Sequence, residues 1–341
     1  MPILRATFVS IALALAPLAA AQSSFRPLPG SALPHSTGDS DLDSGGANPD
    51  VTARTAALFE SLEQAAGLQG PTSFSELRFD AWAGRGGDFS GAPGSLATQR
   101  GSWTARVARQ LAGGERVSFE VETEASFYDL GGNTQLVAGS SDPFNDLYRA
   151  RFAASVATDP AEQISFFTGV EATLGGEDEA DPLDALTAGG LGGVRYRASD
   201  DLALSLGLAA QSRLEDEAWI WPFVAFDWRL SEDLVLSAAG PRVELRAALD
   251  ERWTALMRAD YEMRQYRLND DGPLPDGVLR DEEIHLGAGL EYEAGRNVSL
   301  QLLGGATLWR ELNVLDKGGS QVSETEVEAS PFVAFTLRAS L

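Results

Sequence analysis

From Phe74 onward, apolar and polar side chains alternate with a period of two, and this alternation limits what the chain can fold into. Within Glu283 to Ala294, residues Ile284, Leu286, Ala288, Leu290 and Tyr292 interleave with Glu283, His285, Gly287, Gly289, Glu291 and Glu293. Val117, Phe119, Val121, Ala125 and Phe127 interleave with Glu120, Glu122 and Glu124. Trp253, Ala255, Met257, Ala259, Tyr261 and Met263 share one face, and Arg258, Asp260, Glu262 and Arg264 the other. A period of two is that of β-strands with one apolar and one polar face. Such strands suit either a soluble sandwich, with the apolar faces inside, or a membrane barrel, with them outside.

Three features favour the barrel. Connections alternate in length. Short turns occur at Gly113-Gly114, Asp159-Pro160, Ser199-Asp200-Asp201, Ser231-Glu232-Asp233, Asp250-Glu251-Arg252 and Gly295-Arg296-Asn297. Longer polar stretches at 85–100, 128–146, 175–187, 269–281 and 311–329 lie between them, and short turns on one rim with long loops on the other mark outer-membrane barrels. Aromatic residues of apolar-face parity stand near strand ends: Tyr196, Trp228 and Trp253 beside turns, Trp103, Phe127 and Tyr148 beside loops. These form a candidate interfacial girdle. Finally, Val333, Phe335, Leu337, Ala339 and Leu341 alternate up to the last residue. This final strand resembles the signal by which outer-membrane barrels engage their assembly machinery, with leucine where an aromatic residue is usual.

The expected fold is therefore all-β: a transmembrane antiparallel up-and-down β-barrel of about 14 strands, preceded by a short N-terminal periplasmic helix. Twelve is the alternative count. It would apply if Leu234–Ala239 and Arg242–Leu249, joined at Gly240-Pro241, are too short to be wall strands.

The N-terminal region divides by composition. Residues 1–21 read as a cleavable signal peptide, with Arg5, the apolar run Phe8 to Leu18, and Ala19-Ala20-Ala21 before the cut. Residues 22–50, rich in Ser, Gly, Pro and Asp, read as a flexible linker. Residues 51–70 carry Ala56, Leu58, Leu62 and Ala65 at helical spacing and read as a short amphipathic helix. Residues 71–341 are assigned to the barrel. The expected location is the cell outer membrane.

The chain has 26 Lys+Arg against 50 Asp+Glu, a net charge of −24, and no cysteine. A phosphate backbone needs a basic face, so nucleic acid is excluded as a partner. Disulfides and thiolate chemistry are excluded as well. The expected partners are outer-membrane lipid and, through the last strand, the assembly machinery; oligomeric state is not readable. Parity assigns Arg195, Arg197, Asp227, Arg229, Arg258, Asp260, Glu262, Arg264, His285 and Glu291 to the lumen. Inward arginines and carboxylates balance, which predicts a constricted, ion-paired interior. Gly289 falls on the lumen face, where an added side chain should be tolerated.

Chemistry is sparse. His35 lies in the linker. His285 has no serine two residues on, as a lipid-modifying barrel would need, and the preceding Asp281, Glu282 and Glu283 are the only hint of a protease-like rim. The acidic stretches around Glu177 to Asp184 and Asp270 to Asp276 lack calcium-motif spacing. Gly189-Gly190 and Gly192-Gly193 read as strand glycines. No catalytic residue, metal ligand or cofactor is assigned.

The second half, about residues 147–341, resembles an uncharacterised family of bacterial outer-membrane β-barrel proteins. The resemblance rests on Val194-Arg195-Tyr196-Arg197, Ser199-Asp200-Asp201-Leu202, Ser212-Arg213-Leu214-Glu215-Asp216, Asp227-Trp228-Arg229-Leu230, Gly240-Pro241 and Tyr266-Arg267-Leu268. It implies a fold and a location but no activity. The leading functional expectation is a passive small-solute channel of low selectivity. A closed structural or interaction barrel and an enzyme acting at the rim are the alternatives.

Overall fold

The computed structural model describes residues 73–341, apart from 92, 133–135, 138, 139, 141, 142 and 145. The signal, linker and helix assigned to 1–21, 22–50 and 51–70, with His35, lie outside the described residues. The strands are β1 (Ser73–Asp88), β2 (Ser95–Gln110), β3 (Arg116–Gly131), β4 (Leu147–Ala161), β5 (Ile164–Glu177), β6 (Leu186–Arg197), β7 (Leu202–Arg213) and β8 (Asp216–Ser231). They continue with β9 (Leu234–Ala239), β10 (Arg242–Ala248), β11 (Trp253–Arg267), β12 (Val278–Glu293), β13 (Val298–Leu315), β14 (Gln321–Val327) and β15 (Ser330–Ser340).

Each strand from β1 to β13 pairs antiparallel with the next, and β1 closes the ring on β15 from Glu76↔Ser340 to Gly84↔Phe332. β14 and β15 both pair with β13, above and below a break at Glu328 and Ala329. They are two halves of one wall strand, so the barrel has fourteen. The strands run further into the long connections than the polarity of those stretches indicated. β2 begins at Ser95 and β13 continues to Leu315, inside segments expected to be loop.

The alternation puts apolar residues outside. Phe79, Phe119, Phe152, Val170, Leu206, Ile220 and Leu302 are exposed on the outer face, whereas Arg106, Glu120, Arg151, Asp281 and Glu283 are buried inside. This is the reverse of a water-soluble barrel and matches a wall surrounded by lipid.

The wall is uneven. β9 and β10 have only six and seven residues and meet at Gly240, whose φ of 55° suits the first central position of a two-residue hairpin. The β8–β9 ladder therefore stops at Ala225↔Ala239 and the β10–β11 ladder at Arg242↔Asp260. Above these points β8 loses β9 and β11 loses β10, while β8 keeps β7 and β11 keeps β12. The bond from Arg229 N to Asp201 O fixes the alternation along β8, so the Pro222 nitrogen points to the vacant side. A proline wastes no donor at an edge.

The upper part of β11 stays paired with β12 up to Arg267↔Val278 and also reaches β5, where Arg267 pairs in parallel with Gly176. The turn between β7 and β8 packs over β11 to β13: Leu214 clusters with Val278 and Leu315, and its amide donates to Gln265 Oε1 at 3.1 Å. This corrects the parity reading of β11. Tyr261 and Met263, assigned to lipid, are buried, and the Tyr261 hydroxyl donates to Glu282 at 2.7 Å. The alternation is intact, but the lipid face ends at Asp260 because the wall does.

Gly175 permits the approach of β11 to β5, since a Cβ there would overlap the Gln265 carbonyl oxygen. Gly175→Val is expected to cost about 1–3 kcal/mol, the usual penalty of forcing atoms into a packed contact, read by urea unfolding in detergent. A change below about 0.5 kcal/mol would mean that this approach contributes little.

Candidate functional site

The described lumen has three levels between the loop end and the turn end. At the loop end the mouth is filled by an apolar core. Leu136, Val137 and Phe144 from the β3–β4 connection pack with Leu96, Leu147, Tyr266, Leu268, Leu279, Leu312 and Val314. Arg267 ties three connections together over this core. Its guanidinium donates to the Asp184 carbonyl at 3.0 Å, the Asp276 carbonyl at 2.6 Å and Glu215 Oε1 at 2.6 Å. Outside it, Lys317 Nζ lies 2.7 Å from Asp276 Oδ2, and that hydrogen bond and charge hold the ammonium's pKa above its ordinary value.

Below the core lies a lattice of ion pairs. Asp281 takes a bidentate contact from Arg310, with Nε at 2.9 Å and NH2 at 2.8 Å, and further bonds from Arg100 NH2 at 2.7 Å and the Tyr128 hydroxyl at 2.6 Å. Glu283 accepts from Arg100 NH1 at 2.9 Å. Both carboxylates are wholly buried, at 0 % exposure. Fork-shaped pairing of this kind is the strong form of carboxylate–guanidinium contact. Across the lumen, Arg149 donates to Glu122 at 2.7 Å, Arg151 to Glu122 at 3.0 Å and also to Glu120, and Arg264 Nε to Glu124 at 3.0 Å.

Toward the turn end the packing loosens. Arg246, Asp227 and Arg338 keep roughly a third of their side-chain surface. A cavity of about 190 Å³ lies between the lattice and this end. The wall from β5 to β9 differs in chemistry: Phe167, Leu191, Ala209, Phe223, Ala225 and Ala239 form an apolar inner patch.

The residues assigned to the lumen lie as follows. Arg195 pairs with Asp227 at 2.6 Å, Arg258 with Glu244 at 2.6 Å, Arg246 with Glu291 at 2.9 Å and Arg264 with Glu262 at 2.6 Å. Arg197 is half-buried and Arg229 exposed, both close to the turns. His285 Nδ1 is 3.2 Å from Asp260 Oδ2. Its Nε2 is 2.7 Å from Glu283 Oε2 but off the hydrogen-bonding direction, and its ring lies against Trp82 and Phe332. Trp103, Tyr148, Tyr196, Trp228 and Trp253 are exposed on the outer face. Tyr148 stands at a loop end and Trp253 lies tilted against Tyr292 at the turn end, whereas Trp103 is mid-strand, away from the loop expected beside it.

A side chain at Gly289 would overlap the Leu302 carbonyl oxygen, so tolerance at that position is not expected after all. Asp260, Glu262 and His285 approach closely enough to be considered as metal ligands. Glu262 is already engaged by Arg264 and Asp260 by His285, so a cation would have to displace existing partners and the set does not fit one. Sequence parity missed Arg100, Asp281 and Arg310. The signal was present, since Thr98, Arg100, Ser102, Thr104 and Arg106 continue one polar face.

A family model described as a domain of unknown function (DUF6268) matches residues 181–340, a shorter span than the motifs indicated. No curated protein matches the chain. Among solved structures, the P. putida toluene transporter TodX is similar with a TM-score of 0.46 at 11% identity, over 87% of this chain and 94% of that one. A Pseudomonas aeruginosa FadL homologue gives 0.40 at 11% identity, over 85% and 98%. LpxR from Salmonella typhimurium gives 0.35 at 11%, over 77% and 99%.

Proposed function

We propose that the chain is an outer-membrane barrel closed along its axis, with its turn end in the periplasm, its loop end outside and a water-filled vestibule facing the periplasm. The outward apolar belt supports the membrane setting, because exposed apolar area of this extent is costly in water. The observation that carries the closed reading is the mouth core of Leu136, Leu147, Tyr266, Leu268 and Leu312. Its side chains are buried together at the loop end, above the ion-pair lattice. Among the described residues, the contacts of His285 are Asp260, Glu283, Trp82 and Phe332. No serine is among them, and His285 lines the inner cavity below the mouth core. A passive channel is the second reading, favoured by the cavity, and it requires the mouth loop to move.

Planar-bilayer recording of the purified chain tests this. The wild type is expected to be silent. Leu136→Ser combined with Phe144→Ser, which puts hydroxyls into the mouth core, is expected to produce current steps. Regular steps from the wild type would overturn the closed reading in favour of the channel.

A further inference from the structure

The vestibule has two unlike sides. Eight arginines line it against six carboxylates: Asp80, Glu122, Glu124, Glu171, Asp260 and Glu262. The placement of these charges matters more than their number. Arg78, Arg149, Arg258 and Arg338 keep 13–28 % of their side-chain surface. Glu122, Glu124, Glu171 and Asp260 keep only 3–8 %. Most of the carboxylates sit behind the guanidiniums that they neutralise, so the groups facing the water are mainly cationic. Asp80 and Glu262 are the exceptions, at about 30 %. Arg258 spends Nε and NH2 on Glu244, and Arg149 spends NH2 on Glu122 and Glu124. Each guanidinium has more N–H groups than these contacts use.

The other side is apolar. Leu303 and Phe332 are buried in one cluster against Trp82 and Ala334, and Trp82 stacks on Phe332 with ring centroids 5.8 Å apart. The volume of about 190 Å³ exceeds the roughly 150 Å³ that accepts a benzene molecule in an apolar protein cavity.

We infer that the vestibule binds a small organic monoanion with an apolar body, such as a single-ring or short-chain carboxylate. The head lies among Arg78, Arg149 and Arg258 and the body against Trp82, Leu303 and Phe332. Charge-assisted hydrogen bonds from guanidinium to carboxylate select the head, and the apolar side adds contact that a simple inorganic anion cannot make. The cavity lies on the turn side of the lattice, and the inference does not depend on the mouth being closed.

The test uses the full mature chain in neutral detergent, with benzoate, benzyl alcohol and benzylamine as probes of one shape and three charges, measured by isothermal titration. Benzoate is expected to bind saturably, at one per chain and about tenfold or more tighter than benzyl alcohol, the difference a charged hydrogen bond makes. Benzylamine is expected to be the weakest. Arg149→Gln and Arg258→Gln are expected to weaken benzoate and leave benzyl alcohol unchanged, while Trp82→Ala weakens both. The probe comparison on the wild type stands even if a variant fails to fold. Benzylamine binding best, benzyl alcohol equalling benzoate, or no saturable benzoate binding would each overturn the inference. Bilayer recording without ligand is read independently, so a conducting wild type would remove the closed reading and leave this result in place.

Discussion

Asp281→Ala is expected to destabilise the barrel by about 3–5 kcal/mol, the usual cost of removing one partner from a buried ion pair. Asp281 accepts from Arg310, Arg100 and the Tyr128 hydroxyl at 2.6–2.9 Å, and no solvent reaches it. Without it Arg310 retains Glu283 and Thr98, and Arg100 retains Glu283 as its carboxylate and the Trp82 ring beneath it. Two guanidiniums would then share one carboxylate where water cannot screen them. The Arg116–Asp159 pair, at 3.0 Å near the turns, is partly exposed. Asp159→Ala there is expected to cost only about 0–1 kcal/mol. Urea unfolding of both variants in the same detergent provides the comparison. If the two losses agree within error, the lattice is solvated and its burial as described is wrong.

Val170→Arg is expected to cost about 2–4 kcal/mol, the penalty for a cation on the lipid face at mid-membrane. Val170 lies in the middle of β5 and is 60% exposed on the outer face. Leu290→Arg should cost less. Leu290 faces outward too, but it lies two residues from Tyr292, whose ring is 4.7 Å from Trp253 at the turn end, and the penalty falls toward the interface. Gln301→Arg supplies the lumen-side comparison, because Gln301 is paired in register with Glu291 inside the barrel. Folding titrations into liposomes should rank Val170 above Leu290 and Leu290 above Gln301. The reverse order would mean that the faces are inverted.

Most of the barrel was legible because a period of two is local. Each strand carries its own record of which face is apolar, and the lumen positions of Arg258, Asp260, Arg264, His285 and Glu291 follow from it. The mouth was less legible, for two physical reasons. Polar residues on the inner face of a strand look like loop residues, so Arg100, Asp281 and Arg310 fell into or beside stretches read as connections, although all three are buried. The burial of Tyr261 and Met263 depends on the lengths of other strands. Their own alternation is regular, but the hairpin that should have flanked them stops at Gly240-Pro241. The only trace of this in the sequence is the shortness of two segments, which raised the question of twelve strands or fourteen without revealing what the shortness does to β11. The three-way staple by Arg267 joins residues from separate loops, and no local pattern encodes it.

The short hairpin also bears on the surrounding lipid. Six or seven residues at roughly 3.3 Å each, tilted by about 40°, rise only some 15–18 Å, against an apolar band of about 25 Å on a full-length wall. Acyl chains beside β9 and β10 meet a wall that ends well below the height at which their headgroups would otherwise sit. Such a mismatch is expected to be met by a thinner bilayer at the loop end there, or by water reaching the free edge of β8. On the proposed orientation, the bilayer is expected to be lowest on this one side of the circumference, bordered by Ile220, Pro222 and Val224.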